Sequence, residues 1–141
     1  MPGEDVTFVD TNILVYAHDR SEPRKQPLAH ALLEGLWDSG TGALSTQVLQ
    51  EFYSVATRKL NPPMSRDLAR RIVALYSTWR VVGVDVPLII SASQLEEAHS
   101  LSFWDALVVA AAGRAGAARL VTEDLQDGRE IAGVRVEDPF R

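Results

Sequence analysis

The chain contains no cysteine, which excludes disulfides and thiolate metal ligands from the outset. No apolar run approaches the length needed to span a bilayer. The opening MPGEDV carries acidic residues where a signal peptide carries basic ones, so a cytoplasmic protein without a membrane partner is expected. Nor is there an excess of positive charge. The net charge of −5 argues against bulk electrostatic attraction to nucleic acid. A nucleic-acid enzyme stays open, because acidic residues collected in a metal site would themselves bias the count. Internal repeats, low-complexity segments and linkers are absent as well, so residues 1–141 read as one domain.

What is present has the balance of a soluble globular protein, with 46% apolar and 23% charged residues. A chain of 141 residues is long enough to bury a real core. Short β-rich runs alternate with longer helical ones. Residues 6–9 read as a strand and 11–18 as a helix, and residues 26–37 carry Leu28, Ala31, Leu32 and Leu36 at helical spacing. Gly40 and Gly42 bracket a turn before a short strand at 43–45, and Thr46 caps a helix that runs to residue 60 and ends at Pro62 and Pro63. Ser65 caps a helix over 66–79, residues 81–84 form a strand, and Pro87 opens a helix reaching His99. Ser102 and Asp105 have capping-box spacing ahead of an apolar helix over 103–113. Strands at 119–121 and 133–136 follow, with Gly128 at a turn between them. This alternation argues for an α/β fold with a mainly parallel central sheet flanked by helices. In such sheets ligands bind beyond the carboxyl ends of the strands.

The segment VTFVDTNILVY, residues 6–16, sets Asp10 between two apolar runs with no Gly, Ser or Pro to carry it out into water. A strand must end and a helix begin at once, which leaves a carboxylate at a seam of the core. Glu51 falls in the second turn of the helix after the 43–45 strand, Asp105 in the first turn of the 103–113 helix, and Asp124 just past the 119–121 strand. A right-handed parallel arrangement puts these four positions at one edge of the sheet. Their mutual repulsion and desolvation would be costly without compensation. His18, His30 and His99 lack metal-ligand spacing, so the available donors are all oxygen and favour Mg²⁺ or Mn²⁺ over zinc.

Each residue also has a plainer reading. Asp10 suits a helix cap, Glu51 an exposed helix face, Asp105 a capping box and Asp124 a turn shared with Glu123 and Asp127. Phe103 and Trp104 read as core packing rather than base-stacking platforms, and His99 as a helix-end residue. Asp127 and Glu130 read as turn and surface charge, with Asp127 within possible reach of the metal site. The cationic clusters at Arg20, Arg24 and Lys25, at Arg58 and Lys59, and at Arg66, Arg70 and Arg71 read as solvated helix faces.

Four segments together, VDTNILVYA, STQVLQEFYSV, LSFWDALVVAAA and LVTEDLQDG, resemble the successive acidic motifs of PIN-domain ribonucleases, most of all the VapC-type toxins of bacterial toxin–antitoxin pairs. The resemblance covers nearly the whole chain in the right order. It implies a three-layer PIN-like fold and a catalytic, metal-binding quartet of Asp10, Glu51, Asp105 and Asp124. Asn12 falls on a site-holding Asn, Thr11 and Thr122 on small hydroxyl positions beside the metal, and Glu123 or Asp127 compete with Asp124 for the fourth place. It further implies Mg²⁺ or Mn²⁺ as cofactor, an RNA substrate, 5′-phosphate and 3′-hydroxyl products, a homodimer, and a small antitoxin that blocks the site.

The function expected is therefore a metal-dependent endoribonuclease acting as a toxin. The alternative is a non-catalytic or RNA-processing PIN-like module that binds RNA or a protein. A haloacid-dehalogenase-type phosphatase is disfavoured, because it needs Asp two positions after the first and Asn12 stands there. A receiver-type phosphoaspartate protein wants a Lys after a late strand, and none follows.

Overall fold

The computed structural model describes residues 5–141. Strand β1 (Val6–Val9) leads into α1 (Thr11–Ala17) and α2 (Lys25–Ser39). Strand β2 (Gly42–Ser45) is followed by α3 (Thr46–Arg58) and α4 (Arg66–Tyr76), then β3 (Arg80–Val82). Helices α5 (Val86–His99) and α6 (Phe103–Arg114) precede β4 (Ala117–Val121), β5 (Glu130–Ile131) and β6 (Val134–Glu137). The sheet order is β3-β2-β1-β4-β6-β5, parallel throughout except for the antiparallel β5–β6 pair. This is the expected PIN-like α/β arrangement, a mainly parallel sheet flanked by helices.

Local chemistry sets most of the boundaries. Ser65 and Ser102 cap α4 and α6 by accepting from Leu68 N and Asp105 N, as their sequence positions imply. The cap of α3 is Ser45, accepting from Val48 N, and not Thr46, whose hydroxyl instead accepts from Val84 N at 3.2 Å. Asp85 caps α5, so Pro87 is its second residue. Gly40 and Gly42 do not bracket a simple turn. Gly40 takes a left-handed φ of 70° at the end of α2, while Gly42 opens β2 directly under Trp79, where a Cβ would lie 2.5 Å from the ring. Trp79 belongs to a cluster with Trp37 and Tyr76, at centroid separations of 4.8 to 5.2 Å.

One continuous core runs through β1 and α6. Phe8 and Val9 are fully buried, and α6 buries Ala106, Leu107, Val108, Val109, Ala111 and Ala112, which explains why its apolar residues show no single face. Helix α6 packs on β2, β4 and β6 with α5 against it, and α1 packs on α2 and α3. Among the described residues no helix is long and apolar enough to cross a membrane.

Strand β1 lies between β2 and β4. The chain therefore leaves β1 towards β2 on one side and later returns on the other. This is a topological switch point, where the diverging connections open a crevice beyond the strand ends. Asp10 is the first residue past β1 at that point.

Candidate active site

Asp10 is reached by a chain that is still pairing. Its backbone N–H donates to Val121 O at 3.1 Å, extending the β1–β4 ladder by one bond. At φ −81° and ψ 163° it then becomes the N-cap of α1, with Oδ1 accepting from Thr11 N at 2.7 Å. Oδ2 accepts from the buried Thr122 hydroxyl at 2.9 Å. The capping reading of Asp10 is thus correct, but it accounts for only one of the two oxygens. Asp10 is 6% exposed, and no ion pair among the described residues reaches it.

A ring of hydrogen bonds surrounds it. Thr11 Oγ1 donates to Glu51 Oε1 at 3.0 Å, joining α1 to α3. Asn12 Nδ2 donates to Thr122 Oγ1 at 3.2 Å and to Asp124 Oδ2 at 3.1 Å, and Asp124 N donates to Thr122 Oγ1 at 3.1 Å. Thr122 therefore anchors Asp10 and the turn that carries Asp124 at once. Asp10, Glu51, Asp105 and Asp124 line a single cavity of about 510 Å³, with Thr11 and Asn12 in its wall. One face of α3 supplies Gln47, Glu51, Ser54, Val55 and Arg58 at helical spacing, and the first turns of α6 supply Trp104, Asp105 and Val108.

Electrostatics follow from that gathering. Burial pushes the Asp10 carboxyl up to about 6, and the nearby charges of Asp124 and Glu51 push the same way against its two hydrogen bonds. Asp124 is raised too, first by burial and then by Asp105, Glu123 and Asp138, while the Asn12 hydrogen bond lowers it. For both groups burial is the larger cause and the neighbouring carboxylates add to it. Two buried amide oxygens, Asn12 Oδ1 and Gln47 Oε1, have no hydrogen-bond partner among the described residues.

The remaining sequence candidates separate cleanly. Glu123 is not in the cavity wall; it forms an ion pair with Lys25 at 2.8 Å and accepts a hydrogen bond from the Tyr16 hydroxyl. Asp127 lies outside the cavity wall, and its Oδ1 accepts from Asp138 N at 2.8 Å. Trp104 is not core packing: it is 63% exposed at the cavity. Arg58 and Lys59 are exposed, as a solvated helix face implies, and they also line the cavity. Gln47 was not legible as a site residue. Its only sequence signal is that it precedes Glu51 by one helical turn.

The donor set suits a hard divalent cation, since every available group is a carboxylate, hydroxyl or amide oxygen and the two orphaned amide oxygens need a partner. The acids are not drawn into a closed cluster, however. Among the described residues no three His, Asp or Glu side chains form a ready-made metal-binding group. Glu51 and Asp124 are each held through one oxygen by Thr11 and Asn12, and water would complete the coordination.

A family model described as PIN domain matches residues 7–132, which include all four cavity carboxylates. The chain belongs to the PIN domain family. Solved structures share the fold. A toxin-antitoxin complex from Klebsiella pneumoniae aligns with a TM-score of 0.69 at 22% identity, covering 94% of this chain and 97% of that one. VapC20 from Mycobacterium tuberculosis, described as a sarcin-ricin loop cleaving toxin, aligns at 0.64 and 23% identity, covering 92% and 98%. A DNA-bound VapBC from Salmonella typhimurium aligns at 0.66 and 18%, covering 95% and 98%. No curated protein matches the chain. Within this PIN domain, the cavity at the end of β1 is the candidate active site.

Proposed function

We propose that this PIN domain is a metal-dependent endoribonuclease, the toxin of a VapBC-type toxin–antitoxin pair. The observation that carries this reading is the meeting of Asp10, Glu51, Asp105 and Asp124 in one cavity, with Asp10 buried and, among the described residues, in no ion pair. Asp10, Asp105 and Asp124, with Glu51 directly or through water, would hold Mg²⁺ or Mn²⁺. When bound, such an ion supplies Lewis-acid polarisation of the phosphodiester and a water acidic enough to attack at neutral pH.

The protein's own residues do the positioning. Thr122 and the Thr11 amide fix the Asp10 carboxylate, Asn12 fixes Asp124, and the Thr11 hydroxyl fixes Glu51. Arg58 and Lys59 in the cavity wall suit the RNA backbone phosphates. No side chain is placed as a dedicated general base, and the products would carry 5′-phosphate and 3′-hydroxyl ends.

The fold shared with solved toxin–antitoxin assemblies supports a small antitoxin as partner. A homodimer and a cytoplasmic setting belong to the same reading. The alternative, a PIN-like module that binds RNA or protein without cutting, draws on the absence of a closed carboxylate cluster among the described residues. The buried, charge-crowded Asp10 weighs against it, because a binding module gains nothing from that cost.

The test is cleavage of RNA by the purified protein in Mg²⁺ or Mn²⁺. Activity should disappear in EDTA and in Asp10→Asn and Asp105→Asn, with circular dichroism unchanged. Full activity in EDTA or in Asp10→Asn would refute the proposal.

A further inference from the structure

Trp104 departs from the helix that carries it. The α6 residues that follow Asp105, from Ala106 to Val109, are at most 3% exposed, whereas Trp104 is 63% exposed and lines the acidic cavity. It packs edge-on against Phe103, with ring centroids 5.2 Å apart and planes at 75°, so its position is braced. It is also the immediate neighbour of Asp105. The same cavity wall carries Arg58, whose Nη2 donates to Ser54 Oγ at 2.6 Å and whose Nε donates to Ser54 O at 3.4 Å, laying the guanidinium along α3.

Resting on the nuclease reading above, we propose that Trp104 is a base-stacking platform that restricts this site to single-stranded RNA. The cavity joins the three elements such a site requires: an aromatic face for a base, cations for the backbone, and carboxylates at the bond to be cut. In a duplex each base face is covered by its neighbours, so only an unstacked base reaches the ring. A stacking platform accepts any base, because every base has a π-face. Among the described residues the other large exposed apolar side chains, such as Val86, Ile89 and Ile90 on α5, lie outside this cavity, so Trp104 stands there as a single exposed ring and not as part of an exposed apolar patch.

The test uses Asp10→Asn as a parent that binds without turnover, and a fluorescein-labelled, non-pairing A/C oligoribonucleotide, free or annealed to its complement. Anisotropy should show tighter binding of the single strand. Adding Trp104→Phe should leave affinity within about threefold, and Trp104→Ala should lower it about tenfold or more. Tryptophan emission of the parent should be quenched by the single strand and the quench lost in Trp104→Phe; this reading needs no truncation at position 104. Melting temperatures measured alongside identify any loss of affinity that comes from misfolding.

Equal affinity of the parent and a folded Trp104→Ala, or equal affinity for duplex and single strand, would overturn the stacking role while leaving the nuclease reading standing. A parent that binds neither RNA, together with wild-type protein that cleaves none in Mg²⁺ or Mn²⁺, would overturn both. A co-purifying protein lost in Trp104→Ala, with RNA affinity unchanged, would assign the ring to a protein interface and overturn the proposal.

Discussion

Asn12 on α1 donates from Nδ2 to Asp124 Oδ2 at 3.1 Å, joining residues 112 positions apart across the mouth of the cavity. The same amide group reaches Thr122, which holds Asp10, so one side chain aligns two of the four carboxylates. Asn12→Ala should therefore lower RNA cleavage by more than tenfold while costing only about 1 kcal/mol of stability, a typical net hydrogen-bond contribution. Cleavage rates set beside thermal melts check both halves. Wild-type cleavage in a folded Asn12→Ala protein would show that Asp124 needs no such alignment.

The Asp10 carboxyl gives a stability signature with a definite sign. Its folded value of about 6 lies above the unfolded carboxylate range near 3.9. The metal-free folded protein thus binds a proton more readily than the unfolded chain. The associated stability is complete below about pH 4 and is lost as pH rises through about 6. In EDTA, Asp10→Asn should match the parent near pH 4 and exceed it by on the order of 2 kcal/mol at pH 8. Urea denaturation across that range measures the difference, and a parent more stable at pH 8 than the variant would contradict the burial argument.

Glu123 and Asp124 are adjacent, yet they face different partners. Glu123 pairs with Lys25 and Tyr16, whereas Asp124 lines the cavity. Asp124→Asn should reduce cleavage and divalent binding sharply. Glu123→Gln should keep both and only lower the melting temperature. Comparable losses of activity in the two variants would mean the turn is less sharply divided than its hydrogen bonds imply.

Gln47 is 5% exposed and its Oε1 has no partner among the described residues, a cost the metal-free protein bears. Gln47→Met, of similar shape, should stabilise the metal-free protein by about 1 kcal/mol and impair cleavage. A variant both destabilised and fully active would assign Gln47 to packing alone.

Most of the fold was legible because its signals are local. Ser65 and Ser102 announce their helices, and the apolar run of VTFV identifies the central strand. Strand β5 was not, because it is two residues long and exists only through its pairing with β6. Its connection carries Ala132 at φ 51° and Gly133 at φ 82°, and an alanine gives no sequence sign of a left-handed turn. The meeting of the four acids was legible from topology, since strand ends share an edge. Which of Glu123, Asp124 and Asp127 lines the cavity was not, because their partners Asn12, Lys25 and the Asp138 amide come from elsewhere along the chain. Trp104 misled for a related reason: an apolar residue opening an apolar helix looks buried until α6 is seen to begin at the cavity.

Calorimetric titration of the purified protein with Mn²⁺ tests most directly whether the gathered carboxylates form a cation site. Saturable binding is expected in the wild type, and its loss in both Asp10→Asn and Asp105→Asn. Binding that persists unchanged in those variants, or no specific binding by a folded wild-type protein, would contradict it.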